Sequence, residues 1–249
     1  MSDGIRATGV TVTYRNGHTA LRDASFDIPR GSITGLVGES GSGKTTLGRT
    51  LLRLVQPSAG QIHFDGTDIT TLPDAKMRDM RRRMQIIFQD PMSSLNPRLK
   101  VGDLVAEGLR AHGIGTRAER RDRVAALLEE VGLSADHMNR YPHAFSGGQR
   151  QRLAIARALI SNPEIYLFDD SFSALDLATD VRLRHALRSI TREATVIVVA
   201  QRVSTVVDAD QIIVLEDGVV VGLGRHEELL TGCETYQQIV ESQLGPGRE

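Results

Sequence analysis

Ser32-Ile33-Thr34-Gly35-Leu36-Val37-Gly38-Glu39-Ser40-Gly41-Ser42-Gly43-Lys44-Thr45 is an apolar strand running into a glycine-rich loop that ends on a lysine and a hydroxyl. Thr45–Leu54 then has helical spacing until Gln56-Pro57 stops it, so the order is strand, loop, helix. Gly38 to Thr45 satisfies G-x-x-x-x-G-K-[ST], in which glycines let backbone N–H groups turn inward around phosphates while the following helix offers its N-terminus. From the chain's own composition this pattern should arise by chance about 0.004 times. Lys44 is placed to meet the β- and γ-phosphates of a nucleotide and Thr45 to meet Mg²⁺. Only Lys44, Lys76 and Lys100 are lysines against 27 arginines, which gives the lysine in this motif added weight.

Working outward, Val10–Tyr14 and Ala24–Ile28 flank the turn-like Arg15-Asn16-Gly17, and Gln61–Phe64 precedes Asp65-Gly66. An antiparallel β portion is expected to open the chain. Helical patterns dominate from Asp74 to about Asn162, with Val124, Leu127, Leu128 and Val131 on one face of Arg117–Val131, and Met77, Met80 and Met84 recur at helical intervals. Ile165–Phe168, Thr195–Ala200 and Gln211–Leu215 are short apolar runs of the kind found in buried parallel strands. The class is α/β, with a core interrupted by a helical subdomain. The expected division is one domain over 1–249, with a nucleotide-binding core from 1–74 and 163–249 and a helical subdomain from 75–162.

Composition narrows the partners. Thirty basic residues against 31 acidic give a net charge of −1, so no overall positive field draws the chain to nucleic acid or to an anionic membrane. The densest basic cluster, Arg78 with Arg81-Arg82-Arg83, reads as a solvated helix face. Hydrophobic residues at 40%, with 24 glycines and 8 prolines, suit a globular chain rather than a disordered one. The single Cys233 allows no intrachain disulfide, which fits a reducing compartment, and the seven histidines show no metal-ligand spacing. No apolar run approaches ~18 residues and Met1–Gly9 lacks a signal peptide's apolar core, so direct membrane insertion and export are not expected.

Two further stretches choose the chemistry. Ile165-Tyr166-Leu167-Phe168-Asp169 is a strand ending in a carboxylate placed to reach Mg²⁺ through water. Phe145-Ser146-Gly147-Gly148-Gln149-Arg150-Gln151-Arg152 is a second glycine-rich turn at a helix N-terminus, able to present backbone donors and a serine hydroxyl to phosphate. With these motifs in this order the sequence resembles the ABC ATPase family, and Ser-Gly-Gly-Gln is its signature. The resemblance runs from Tyr14 to about Leu244 and implies a P-loop NTPase of ABC type: a parallel core sheet with helices, an antiparallel β subdomain and an inserted helical subdomain. It implies ATP held by Gly38, Glu39, Ser40, Gly41, Ser42, Gly43, Lys44, Thr45 and Thr46, with adenine stacked on Tyr14. It implies Mg²⁺ at Thr45, Gln89 and Asp169, with Asp170, Gln201 and Gln89 as catalytic positions. Ser146, Gly147, Gly148 and Gln149 would close in trans on a second subunit's ATP, and Ser173, Ala174, Leu175 and Asp176 would contact that subunit. The implied partners are a second ABC ATPase subunit, in a homo- or heterodimer, and a transmembrane permease gripping the helical subdomain near Gln89–Asn96. The implied location is cytoplasmic, on the inner face of the cell membrane through that permease.

Two positions depart from the pattern. The family's glutamate after Asp169 is Asp170 here, a carboxylate set back by one methylene, and its switch histidine is Gln201, which can hydrogen-bond a γ-phosphate but cannot carry the imidazole's charge. Since a general base must lie within hydrogen-bond reach of its proton, slow hydrolysis is expected. The resemblance also changes along the chain. Residues through about Ala158, notably Phe88–Pro97 and Tyr141–Gln149, look like the ATPases of oligopeptide importers. From Ile165 onward Asp169–Asp176, Ala200-Gln201-Arg202 and Gly224–Leu230 look like nucleotide-binding domains of multidrug-type exporters, which reads as a recombined or engineered composite joined around 150–165. Direction of transport therefore stays open. So do two other functions: a regulatory subunit that clamps ATP with little turnover, and an ABC ATPase acting on nucleic acid or ribosomes. The last would need a coiled coil, a tandem ATPase unit or a basic surface, none of which is evident in the sequence.

Overall fold

A computed structural model describes residues 4–88, 94–171 and 193–244. Gln89, Ser173, Ala174, Leu175, Asp176 and the tail from Gly245 lie outside the described residues. The chain forms two compact units, one of Met1–Arg81, Ile165–Asp169 and Glu193–Glu249, the other of Arg82–Glu164 and Asp170–Arg192.

The first unit holds the antiparallel sheet and the parallel core. β1 (Ile5–Thr13), β2 (Thr19–Ile28), β4 (Ala59–Phe64) and β5 (Thr67–Asp68) lie in the order β2-β1-β4-β5. Asp65 and Gly66 turn between β4 and β5 with φ of 46° and 74°, the paired left-handed geometry that Asp-Gly accommodates in a tight hairpin. β1 and β2 alternate buried and exposed residues, with Ile5, Ala7, Val10 and Val12 directed inward. In the core, β3 (Ile33–Gly38), β7 (Ile165–Asp169), β8 (Thr195–Val199), β9 (Gln211–Glu216) and β10 (Val219–Gly224) run in the order β10-β9-β3-β8-β7. The pairs β9/β3, β3/β8 and β8/β7 are parallel, and β10 returns antiparallel through Asp217-Gly218. Every residue of β7 and β8 is buried, which is why both read as continuous apolar runs.

Helix α1 (Lys44–Leu51) lies on this sheet, and Gly48 permits the approach: a Cβ there would stand 3.0 Å from Leu167 Cδ1 and 3.4 Å from Val199 Cγ2. The helix stops short of the expected Leu54, because Arg53 turns left-handed at φ 53° and its guanidinium donates to the carbonyls of Ile69 and Leu72. α2 (Asp74–Arg81) completes the N-terminal part of the unit, with Met77 buried.

The second unit opens on a strand, β6 (Met84–Ile87), inside the stretch whose spacing looked helical. Met84 is therefore a strand residue: the Met77–Met80–Met84 interval is interrupted at Arg82-Arg83, and the short run ending in Ile86-Ile87 extends instead. α3 (Val101–Val105), α4 (Glu107–Ala111), α5 (Arg117–Glu130) and α6 (Gly147–Leu159) follow. α5 starts on a capping box in which Thr116 and Glu119 satisfy each other's backbone N–H groups, and it buries Val124, Leu127 and Leu128.

Candidate functional site

The phosphate loop grows out of the end of β3. A Cβ at Gly38 would overlap the Leu215 carbonyl oxygen, so glycine alone fits where the loop passes β9. Gly41 and Gly43 have φ of 85° and 99°, and Gly43 is the N-cap of α1. No side chain caps this helix and no acidic residue lies in its first turn. Its positive dipole end therefore suits an anion from outside the helix. The Lys44 ammonium folds back along the loop, donating to the carbonyls of Gly38 at 2.9 Å and Glu39 at 2.5 Å and reaching Ser42 Oγ at 3.4 Å. Tyr14 is half exposed beside the same helix, with its hydroxyl 3.0 Å from Thr46 Oγ1.

Asp169 ends β7 against α1. Thr45 Oγ1 donates to its Oδ1 at 2.9 Å, while Arg49 donates to Oδ2 from Nε at 3.2 Å and Nη2 at 3.0 Å. The Asp169 side chain is only 4% exposed, so these bonds take the place of water. A hydroxyl beside a carboxylate is an oxygen-only donor pair of the kind Mg²⁺ takes when phosphates and water complete its shell. Among the described residues no group of three His, Cys, Asp or Glu could hold a metal on its own. The residues at this site therefore fit a nucleotide with Mg²⁺ shared between protein and phosphate.

Past β7 the backbone of Asp170 is left-handed, φ 49°, and the residue is 9% exposed. Aspartate tolerates that conformation better than a longer side chain does. Ser171 is buried and donates from Oγ to the Ile87 carbonyl at 2.7 Å. Gln201 lies exposed in the loop after β8. Its carbonyl accepts from Gln243 Nε2 at 2.8 Å, and Val203 N donates to Gln243 Oε1 at 2.7 Å, so one amide from α8 (Glu234–Leu244) brackets the loop.

In the second unit, Ser146 caps α6. Its Oγ accepts from Gln149 N at 3.3 Å and Gln149 Oε1 accepts from Ser146 N at 3.0 Å. The N-capping serine and the glycine after it remain exposed, with nothing within 4 Å of where a Gly147 Cβ would stand. Arg83, from the basic cluster, is engaged by the Glu164 carboxylate at 2.6 and 2.8 Å.

The structure thus brings Gly38, Glu39, Ser42, Lys44, Thr45, Thr46, Tyr14 and Asp169 together in one unit. Gln89 and Ser173–Asp176 fall outside the described residues. Arg49 and Gln243 are additions. Arg49 stands one helical turn after Thr45, a spacing that could have marked it; Gln243 carries no local signal because its partner loop is 42 residues away.

A parallel α/β core with a glycine loop at the end of β3, a lysine on that loop and a strand-end carboxylate on the next helix's threonine defines a phosphate-loop NTPase. The ABC transporter family profile matches residues 21–173. A putative peptide import ATP-binding protein of Brucella ovis is 48% identical over 212 residues, covering 84% of this chain and 67% of the relative. The oligopeptide transport ATP-binding protein OppF of Bacillus subtilis is 44% identical, covering 88% and 73%. Among solved structures, the dimeric post-hydrolysis state of the ATP-binding cassette MJ0796 with ADP and Pi superposes at a TM-score of 0.83 and 31% identity, covering 89% of this chain and 98% of that one. A bacterial ABC exporter with ATP bound superposes at 0.84 and 31%, covering 98% and 42%. The chain belongs to the ABC transporter family, as an ATP-binding domain with ATPase activity coupled to transport. Among the described residues no helix is long and apolar enough to cross a membrane.

Proposed function

We propose that this chain is the motor subunit of a peptide importer, that it binds Mg²⁺-ATP between two copies of itself or a close relative, and that it hydrolyses the nucleotide slowly. The observation that carries the reading is the Thr45–Asp169 contact at the start of the helix that follows the glycine loop, along which the Lys44 ammonium is folded. Peptide import is supported by what the Brucella and Bacillus relatives are named for. Mg²⁺, when bound, would neutralise charge on the transferring phosphoryl group. Thr45 and Asp169 would hold it with Gln89, Lys44 would bind the β- and γ-phosphates, and Tyr14 would carry the adenine ring. Ser146, Gly147, Gly148 and Gln149 would cover the partner subunit's ATP, with Ser173–Asp176 at the dimer contact and the permease docked around Gln89–Asn96. That permease would fix the chain to the cytoplasmic face of the membrane.

Slow hydrolysis follows from Asp170 and Gln201. The shorter acid sits farther from an attacking water, and positioned general bases contribute about 10²–10⁴-fold. The same two residues favour a second reading, a regulatory subunit that clamps ATP and lends its intact signature to a more active partner. Light scattering tests the sandwich: with ATP and no Mg²⁺ the purified chain is expected to double in mass, and Lys44→Ala to stay monomeric. A chain that remains monomeric at millimolar ATP would contradict pairing with a second copy of itself and leave the close relative as the partner.

A further inference from the structure

Thr45 and Arg49 are four residues apart on α1, one turn of helix, and both reach the same carboxylate. They divide it: Thr45 holds Oδ1 with one bond, and Arg49 holds Oδ2 with two, at 3.2 and 3.0 Å. Two donors on one oxygen pin Oδ2 more firmly than one would, and with Thr45 on the other oxygen both ends of the carboxylate are held, which fixes its orientation. Asp169 is 4% exposed on its side chain and Arg49 41%, so the acid depends on protein donors while the arginine reaches it from the solvent side. We propose that Arg49 is a positioning residue for the metal site: it holds Oδ2 of Asp169 so that Oδ1 stays turned toward the Thr45 hydroxyl, the oxygen pair assigned to Mg²⁺. The proposal rests on the Mg²⁺-nucleotide reading above. It also makes α1 responsible for both halves of the site, since the helix that offers its N-terminus to phosphate sets the metal-side acid one turn later.

Arg49 has a competing effect, because its positive charge opposes a nearby cation. Substitutions separate the two. Arg49→Lys keeps the charge and loses the fork; Arg49→Met loses both. The probe is Mn²⁺, titrated in the presence of a non-hydrolysable ATP analogue and followed by the electron paramagnetic resonance of the free ion, with analogue affinity in EDTA and unfolding temperature measured alongside. Losing a partner that orients a metal-ligating group costs 10- to 100-fold in metal affinity. The expected result is Mn²⁺ binding about tenfold weaker in Arg49→Lys and still weaker than the unsubstituted chain in Arg49→Met, where loss of the opposing charge offsets part of the effect, with metal-free nucleotide affinity held within twofold. Unchanged Mn²⁺ affinity in Arg49→Lys, or tighter binding in Arg49→Met, overturns the positioning role and leaves only charge. Failure of the unsubstituted chain to bind the analogue overturns the functional reading itself and this role with it.

Discussion

Thr45 meets Asp169 at 2.9 Å while Lys44 bonds the loop carbonyls of Gly38 and Glu39 at 2.9 and 2.5 Å. Lys44 and Thr45 could be named from spacing alone because phosphate chemistry needs a glycine turn, a cation and a hydroxyl in fixed order, and Asp169 from the apolar strand that it ends. Gly38 shows why that order leaves no freedom. Gly38→Ala would drive a methyl group into the Leu215 carbonyl, a backbone atom that cannot yield. Nucleotide affinity is expected to fall at least tenfold and stability by about 1–3 kcal/mol, the scale of an overpacking substitution. Equilibrium binding and denaturant unfolding of that variant check both. Arg49 was less legible: its place one turn after Thr45 could have marked it among 27 arginines, but what it binds shows only where α1 meets β7. Asp170 was legible as a departure from a pattern, while its left-handed backbone, which suits a short acid, shows only in the structure.

At the scale of elements, apolar runs foretold β3, β7, β8 and β9 because a strand buried on both faces has no polar side to show. β6 and β10 were hidden for opposite reasons. β6 has four residues next to a helical pattern, and β10 exposes Val219, Val221 and Leu223 at the sheet edge, although Asp217-Gly218 carries the same hairpin signal as Asp65-Gly66. The C-terminal helices are joined by chemistry the sequence does not display. Tyr236 in α8 is fully buried, with its hydroxyl 2.8 Å from Nδ1 of His226 in α7 (His226–Gly232), and burial pushes the phenol up to about 12. Tyr236→Phe is expected to cost about 1 kcal/mol at neutral pH, the net worth of one hydrogen bond. An unfolded tyrosine titrates near 10, so the folded chain's preference for the neutral phenol is fully present below pH ~10 and is lost as pH rises through 12. Unfolding midpoints measured across that window should fall in the native chain and flatten in Tyr236→Phe. Gln243 holds the Gln201 loop by both ends of its amide, so Gln243→Ala should speed hydrogen exchange at the Val203 amide about five- to tenfold, the equivalent of a bond worth ~1 kcal/mol.

For the whole molecule, the class was legible because two phosphate-seeking turns and a strand-end acid occur in one fixed order, and the family match over residues 21–173 bears out that class. Substrate was not legible, since nothing in an ATP site records what a permease carries; the Brucella relative is named for peptide import and the Bacillus relative for oligopeptide transport, which supports the proposed reading. A 212-residue match within 249 residues necessarily runs through 150–165, so likeness to the Brucella relative gives a composite chain no separate support. The phosphate loop lies in one unit and the signature turn in the other, and the pair of chains proposed as the working state comes from the family resemblance, in which that turn closes on a second subunit's ATP. The central claim is a nucleotide-binding motor whose hydrolysis is held back by Asp170 and Gln201. Mg²⁺-ATP turnover at high protein concentration, compared among the native chain, Asp170→Glu and Asp170→Glu with Gln201→His, tests it most directly. ATP binding in all three, native turnover barely above background and recovery of ~10²-fold or more in the double variant are the results expected. Native turnover of about 1 s⁻¹ or faster, with no gain from either change, would contradict the claim and make this chain a self-sufficient motor.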